Sequence, residues 1–205
     1  MKVTADSGAF FEGQVRGAMD SLYGAALKLT RNAGEAEDLV AEAVGRAWSA
    51  FQSLEDRSHF RPWLFRILTN TYIDRYRKRR DAPAMESWDD SGACDDDDGN
   101  FSLFERLHQP FLLWWGNPEQ EYVNKLLRED INRAVDTLPA VYRLAVILID
   151  VEGFAYQEAA EVLGVPVNTV RSRLKRGRAC LQKALWKHAG DIGVTKSATE
   201  GASLR

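Results

Sequence analysis

A chain of 205 residues with 45% hydrophobic content can fill one ordinary core or two small ones, so most of it is expected to fold. No apolar run approaches the roughly 20 residues of a membrane-spanning helix, and the start, MKVTADSGAFFEGQ, lacks the basic-then-apolar order of a secretory signal. A cytoplasmic protein without membrane insertion is the expectation. The net charge of −3 hides a sharp asymmetry: two basic stretches, 61–80 and 171–187, flank the acidic stretch Glu86–Asp98. That pattern suits a polyanionic partner touched at two places, although solvated helix faces would look the same on charge alone.

Met19, Leu22, Tyr23 and Ala26 recur at helical spacing. Ala36, Leu39, Val40, Ala43, Val44, Ala47, Trp48 and Phe51 then hold an i, i+3, i+4, i+7 stripe for four turns, with Glu35, Asp38, Glu42 and Arg46 opposite. A polar break, 52–59, precedes a third helix, with Ser58 as N-cap and Pro62 in the first turn. Leu64, Ile67, Leu68 and Thr71 make its inner stripe. No stretch of this half alternates like a strand, so residues 8–81 are expected to form an all-helical domain.

Residues 82–117 read as a linker in two parts. The acidic, turn-rich half cannot bury enough apolar surface to offset its chain entropy. The half from Phe101 to Trp115 crowds nine large apolar residues together and should dock on something. The second helical half spans 118–188. Val123, Leu127, Ile131, Ala134, Val135 and Leu138 form one stripe, Pro139 starts a central apolar helix, and Gly153 breaks it. Tyr156 to Leu163 is a short helix ended by Gly164, Val165-Pro166-Val167 is a turn, and Asn168 begins a last helix to about His188. Residues 189–205 have the composition of a disordered tail. Cys94 and Cys180 fit neither a metal-ligand pattern nor a disulfide framework, and two reduced thiols are expected.

The segment from Tyr156 to Lys187 has the pattern of a helix-turn-helix, whose second helix enters the major groove and reads base edges with its N-terminal residues. Here those are Asn168, Thr169, Arg171, Ser172, Arg173, Lys175 and Arg176, with Val170 among them. Arg suits guanine, and Ser and Thr suit base edges or phosphates. An ordinary helical hairpin with a basic exposed face is the plain alternative.

On these residues the chain resembles a known family. The run from Gly153 to Leu174, GFAYQEAAEVLGVPVNTVRSRL, looks like region four of the extracytoplasmic-function (ECF) sigma factors, and Asp136-Thr137-Leu138-Pro139 suits the start of that region. Independently, Ala36-Glu37-Asp38-Leu39-Val40 through Arg46-Ala47-Trp48 resembles the polymerase-binding part of region two. Phe60-Arg61-Pro62-Trp63-Leu64-Phe65-Arg66-Ile67-Leu68-Thr69-Asn70, followed by Asp74 and Arg77, resembles its promoter-melting part. The matches stand in the family's order.

The resemblance implies an all-α protein of two small helical domains joined by a flexible acidic linker, acting as a non-enzymatic specificity subunit of RNA polymerase. It implies contact with the polymerase clamp and flap, the clamp through Asp38, Leu39, Glu42 and Arg46. It also implies minus-ten recognition and melting through Arg57, His59, Phe60, Trp63, Arg66, Asn70 and Arg77. Minus-thirty-five recognition falls to the helix-turn-helix residues, and an anti-sigma factor is an expected partner. For Phe60 and Trp63, simple core packing competes with base capture. Three positions depart from the pattern: Ala155 stands where Ser or Thr usually caps, Ala159 replaces a larger aliphatic residue, and Asn168 stands where Gly is common and can itself cap. The scattered His59, His108 and His188 make no metal site, and neither a phosphate-cradling glycine loop nor a nucleophile elbow is present in the sequence. No cofactor is expected. A stand-alone helix-turn-helix regulator is the alternative function, and a pure interaction module a third.

Overall fold

The computed structural model describes residues 5–79 and 131–191. The linker and the tail therefore lie outside the described residues, and with them the expectations for the acidic run and for Phe101 to Trp115. Everything described is helix or turn. The long helices are α1 (Ala5–Thr30), α2 (Ala33–Ala50), α3 (Phe60–Arg79), α4 (Ala140–Val146), α5 (Tyr156–Leu163) and α6 (Val167–Asp191). A helical segment at 131–137 precedes α4, and a π-helical segment, Ile147–Val151, follows it.

The described residues fall into two compact units. One holds 5–79 with 139–177, and the other holds 131–138 with the remainder of α6. In the first unit the stripes of α1, α2 and α3 close on one another: Leu22, Ala26, Ala36, Leu39, Ala43, Ala47, Leu64, Phe65 and Leu68 are all essentially sealed from solvent. The same core continues through Leu144, Ile147, Leu148, Phe154, Ala159, Val162 and Val170. The described parts of the two helical halves thus share apolar packing. In the second unit Ala134, Val135 and Leu138 are buried, as are Cys180 and Leu181.

Several local expectations change. Met19 and Ile131 belong to predicted stripes yet are exposed, and Trp48 is 43% exposed with its ring set edge-on to Phe11 at 5.0 Å. Trp48 sits at the margin of its stripe, where helical drift turns a side chain to the rim. α3 is not capped by Ser58. Instead Asp56 accepts the Ser58 backbone N–H at 2.8 Å and starts the 3₁₀ turn Arg57–His59, which runs directly into α3. Pro62 does sit in the first turn, where its missing N–H costs nothing. α6 begins at Val167, so Asn168 lies inside its first turn, and the Pro166 carbonyl accepts from Thr169 and Val170 N–H in place of a side-chain cap. Cys180 is engaged in a disulfide and is not a free thiol, against the expectation of reduced cysteines. Separation in sequence does not set the Cα approach a bridge needs. The sequence's other cysteine, Cys94, lies outside the described residues.

Two joints follow from backbone chemistry. Arg31, at φ +60, turns the chain after α1, and the Asn32 side chain then caps α2 by accepting Glu35 N–H at 3.0 Å. Gly164, at φ +64, ends α5 in the left-handed conformation that glycine adopts without a Cβ clash, with Val165 N–H returning to the Ala160 carbonyl.

Candidate nucleic-acid and polymerase interfaces

The loop between α2 and α3 is held by rings and charges. Phe10, Phe11, Phe51, Phe60 and Trp63 form one aromatic cluster, with Phe11 and Phe60 edge-on at 5.6 Å and Phe60 to Trp63 at 5.6 Å. Phe60 is 2% exposed, so this structure gives it to the core rather than to an incoming base. Trp63 is half-buried and keeps part of its ring accessible. The Arg57 guanidinium lies 4.8 Å above Phe10 and 5.9 Å from Phe51, and its Nη2 donates to Ser7 Oγ at 3.3 Å. These contacts moor the exposed loop to the start of α1.

Asp56 is the loop's hinge pin. The Ser58 hydroxyl, the Ser58 backbone N–H and His59 together stabilise its carboxylate, which brings its pKa down to about 2. His59 Nδ1 lies 2.8 Å from Asp56 Oδ2, and the ring is otherwise open to solvent. Beyond the loop, Arg66, Asn70 and Arg77 are exposed on α3, and their spacing of four and seven places them on one face. The structure thus brings loop and helix side chains into one neighbourhood, with Phe60 as its floor.

On α2 the face predicted to meet polymerase is a charge network. Arg46 pairs with Glu42 at 2.6 Å and with Asp74 of α3 at 3.2 Å. Arg75, which sequence reasoning did not single out, donates from Nε to Glu42 Oε2 at 2.8 Å and from Nη2 to the Asp38 carbonyl at 3.0 Å. The Arg75 hydrogen bond, reinforced by Arg46, lowers the Glu42 pKa, and the bond to Asp74 raises that of Arg46. Asp38 is exposed beside them. Leu39 is the exception in this group, since it is fully buried on the stripe of Ala36 and Ala43 and presents no side-chain surface. Its i+3/i+4 relation to those alanines was legible in the sequence and outweighs its neighbours' charge.

The helix-turn-helix is built as the sequence proposes. α5 has no side-chain cap, because Ala155 offers no acceptor. Glu158 still receives the Ala155 N–H at 2.8 Å, which leaves half of a capping box. Ala159 and Ala160 are buried, so the small residues let α5 pack closely. On α6, Val170 and Leu174 point inward. Asn168, Arg171, Ser172 and Lys175 are exposed, and Thr169, Arg173 and Arg176 are half-buried around them. Ser172 Oγ donates to the Thr169 carbonyl at 3.0 Å, and Arg171 lies 5.7 Å from the Tyr156 ring. Farther along, Gly177 lets α6 approach α4. A Cβ there would stand 2.9 Å from Val146 Cγ2 and 3.3 Å from the Tyr142 carbonyl.

Two motifs in the order region two, then region four, are matched by family models: "Sigma-70 region 2" over residues 15–82 and "Sigma-70, region 4" over residues 128–181. The chain is 33% identical over 169 residues to the ECF RNA polymerase sigma factor EcfG of Rhodopseudomonas palustris, covering 82% of this chain and 81% of that protein. The chain belongs to the ECF RNA polymerase sigma factors. It is 36% identical over 180 residues to SigE of Mycolicibacterium smegmatis, covering 86% of this chain but only 62% of the relative's length. Among solved structures, the fold is similar to the sigma factor RpoE in complex with the anti-sigma factor NepR from Bartonella quintana. That match has a TM-score of 0.59 and 27% identity, and covers 85% of this chain and 96% of that one. It is also similar to CnrH in complex with the cytosolic domain of CnrY, at a TM-score of 0.55 and 25% identity, covering 85% and 86%.

Sequence reasoning missed several residues that shape these surfaces: Phe10 and Phe11, Arg75, Arg61 with Glu152, and the buried Arg143. Arg143 is 5% exposed in a helix expected to be apolar almost all round, and it donates to the Leu29 carbonyl at 3.2 Å, near the end of α1. A cation at the negative end of a helix is favourable. An arginine interrupting an apolar run was the available signal. No helix among the described residues is long and apolar enough to cross a membrane.

Proposed function

We propose that this chain is a promoter-specificity subunit that binds core RNA polymerase and carries it to a defined set of bacterial promoters. The observation that carries the reading is the row of exposed and half-buried polar and basic side chains from Asn168 to Arg176, on a recognition helix whose opposite side is anchored by Val170 and Leu174. That row can address bases with Arg171 and Arg173 and phosphates with Lys175 and Arg176. Membership of the ECF family supplies the polymerase side of the reading.

In this reading Asp38, Glu42 and Arg46 meet the polymerase clamp as a pre-set charge network. The loop 53–60, with Arg66, Asn70 and Arg77, handles the minus-ten element. An unstacked base needs polar edges beside an aromatic surface, and exposed His59 and Asn70 beside the open part of Trp63 offer both. Phe60 contributes from below by fixing the loop, and Arg57 by mooring it. Residues 8–81 and 118–188 act as the two DNA-reading domains, and 82–117 as the connector. Catalysis belongs to the polymerase, and the protein works in the cytoplasm. An anti-sigma partner is part of the proposal because the related RpoE was solved with one.

The deciding experiment is capture of core polymerase by the full chain, followed by run-off transcription on fragments of the source genome. Specific transcripts that depend on the chain support the reading. Tight binding to duplex DNA without any affinity for core polymerase would instead identify a stand-alone helix-turn-helix regulator.

A further inference from the structure

Asp38, Glu42 and Arg46 follow one another at intervals of four on α2 and so share one face of it. The first two are like charges one turn apart, a pairing that weakens a helix left to itself. Arg75, brought across from α3, lies between them. Its Nε donates to Glu42 Oε2 at 2.8 Å, and its Nη2 donates to the Asp38 carbonyl at 3.0 Å. Arg46 takes the other carboxylate oxygen, Oε1, at 2.6 Å, and its Nη1 continues to Asp74 Oδ2 at 3.2 Å. Glu42 is therefore gripped on both oxygens. The Arg75 hydrogen bond leads the causes that lower its pKa, so the carboxylate stays ionised in the free protein. Arg75 itself shows less surface than the residues it holds: its side chain is 28% exposed, against 34% for Glu42 and 44% for Arg46.

An unrestrained surface glutamate spreads over several rotamers, and a partner that needs one of them loses affinity to the ordering. Arg75 does that ordering in advance. A carboxylate has about four acceptor sites on its two oxygens, so Glu42 keeps capacity for a donor from outside while both arginines hold it. We infer that Arg75, anchored on the Asp38 carbonyl, is a positioning residue for polymerase docking: it sets the Glu42 carboxylate in the geometry that polymerase meets, without touching polymerase itself. This rests on the sigma-factor reading for what the face contacts. The residue type matters for the role. A planar guanidinium can serve a carboxylate and a backbone carbonyl at once, whereas an ammonium is a point donor on a flexible stem. Lysine at this position would keep the charge and lose the span, which separates positioning from net charge.

The test is a titration of the full chain with core polymerase, at low ionic strength so that weakened variants stay measurable. Arg75→Ala should lower the affinity by about three- to tenfold, the range for releasing one or two ordered side chains. Arg75→Lys should recover only a minor part of that loss. Lys78→Ala removes the same charge from an exposed position one turn along α3, and should leave affinity within about twofold of wild type. Glu42→Ala is expected to weaken binding by itself, and in that background Arg75→Ala should cost nothing further, because its effect runs through the carboxylate it holds. Circular dichroism at the assay temperature should show wild-type helicity in every variant that is scored. Should Arg75→Ala lose helicity, Arg75→Gln, which keeps a stem and a donor, takes its place. A merely structural Arg75 would lower the melting temperature and leave core affinity at wild type, which overturns the role. Full recovery by Arg75→Lys overturns it as well, since charge would then suffice. An undiminished loss in the Glu42→Ala background would make Arg75 a direct contact and has the same consequence. Wild-type chain without affinity for core polymerase would overturn the sigma-factor reading itself, whereas those three outcomes overturn the positioning role alone.

Discussion

The two surfaces expected to touch DNA are built on opposite plans. The recognition helix α6 shows its proposed readers along a regular helix, backed by Val170 and Leu174. The loop before α3 is irregular, and nearly every side chain in it is tied to something: Arg57 to Phe10 and Ser7, Asp56 to Ser58 and His59, Phe60 to four other rings. A helix-borne reader can change without disturbing the fold, so specificity there is free to vary. A loop proposed to hold an unpaired base cannot borrow order from a helix, and the aromatic cluster beneath it supplies that order.

That contrast can be broken most directly at Phe60. Phe60→Ala removes the floor of the loop and should cost about 3–5 kcal/mol of stability, as for other fully buried aromatic residues. Urea unfolding measures it. If the loss is under about 1 kcal/mol, well below that range, the cluster does not organise the loop. Arg171→Ala and Arg173→Ala should behave oppositely, costing far less stability than Phe60→Ala while each weakens minus-thirty-five binding by about 1–3 kcal/mol where the contact is bidentate to a base. Normal transcription by both variants would remove α6 from the DNA-reading role. Gly177→Ala marks where α6 stops being independent. The added methyl meets Val146 and Tyr142, both buried, so overpacking of about 1–3 kcal/mol outweighs the helix-propensity gain of about 1 kcal/mol, and the melting temperature should fall.

The smallest effect is a matter of pH. Asp56 is depressed to about 2, below an ordinary aspartate near 3.9, so its contribution to stability is complete above about 3.9 and is lost as pH falls through about 2. Asp56→Ala should therefore melt earlier than wild type at about pH 5, and the gap should close toward about pH 2, where both lack the charged cap. A gap absent at both pH values would mean that the loop's order comes from the rings alone.

Helix positions in the described halves were readable because apolar residues at i, i+3, i+4 and i+7 leave a chain few other ways to bury them. The stripe of α2 and the hydrophobic backing of α6 follow from that rule alone. Stripe edges were less readable, since Met19, Ile131 and Trp48 fit the period yet are partly exposed. Caps were half readable. Gly164 announces a left-handed stop, whereas nothing local tells Asp56 from Ser58 as the residue that organises the entry to α3.

The sequence by itself determined the helical class and the order of the two sigma regions, because local periodicity and short motifs carry both. Only the tertiary structure decided the rest. Phe60 and Leu39 belong to the core, Arg75 braces the charged face of α2, Arg143 lies buried against the end of α1, and Arg61 finds Glu152 across 91 positions of chain. The physical reason is common to them. Whether a charge or a ring is exposed or paired depends on what a distant segment brings against it, and no pattern within a few helical turns contains that information.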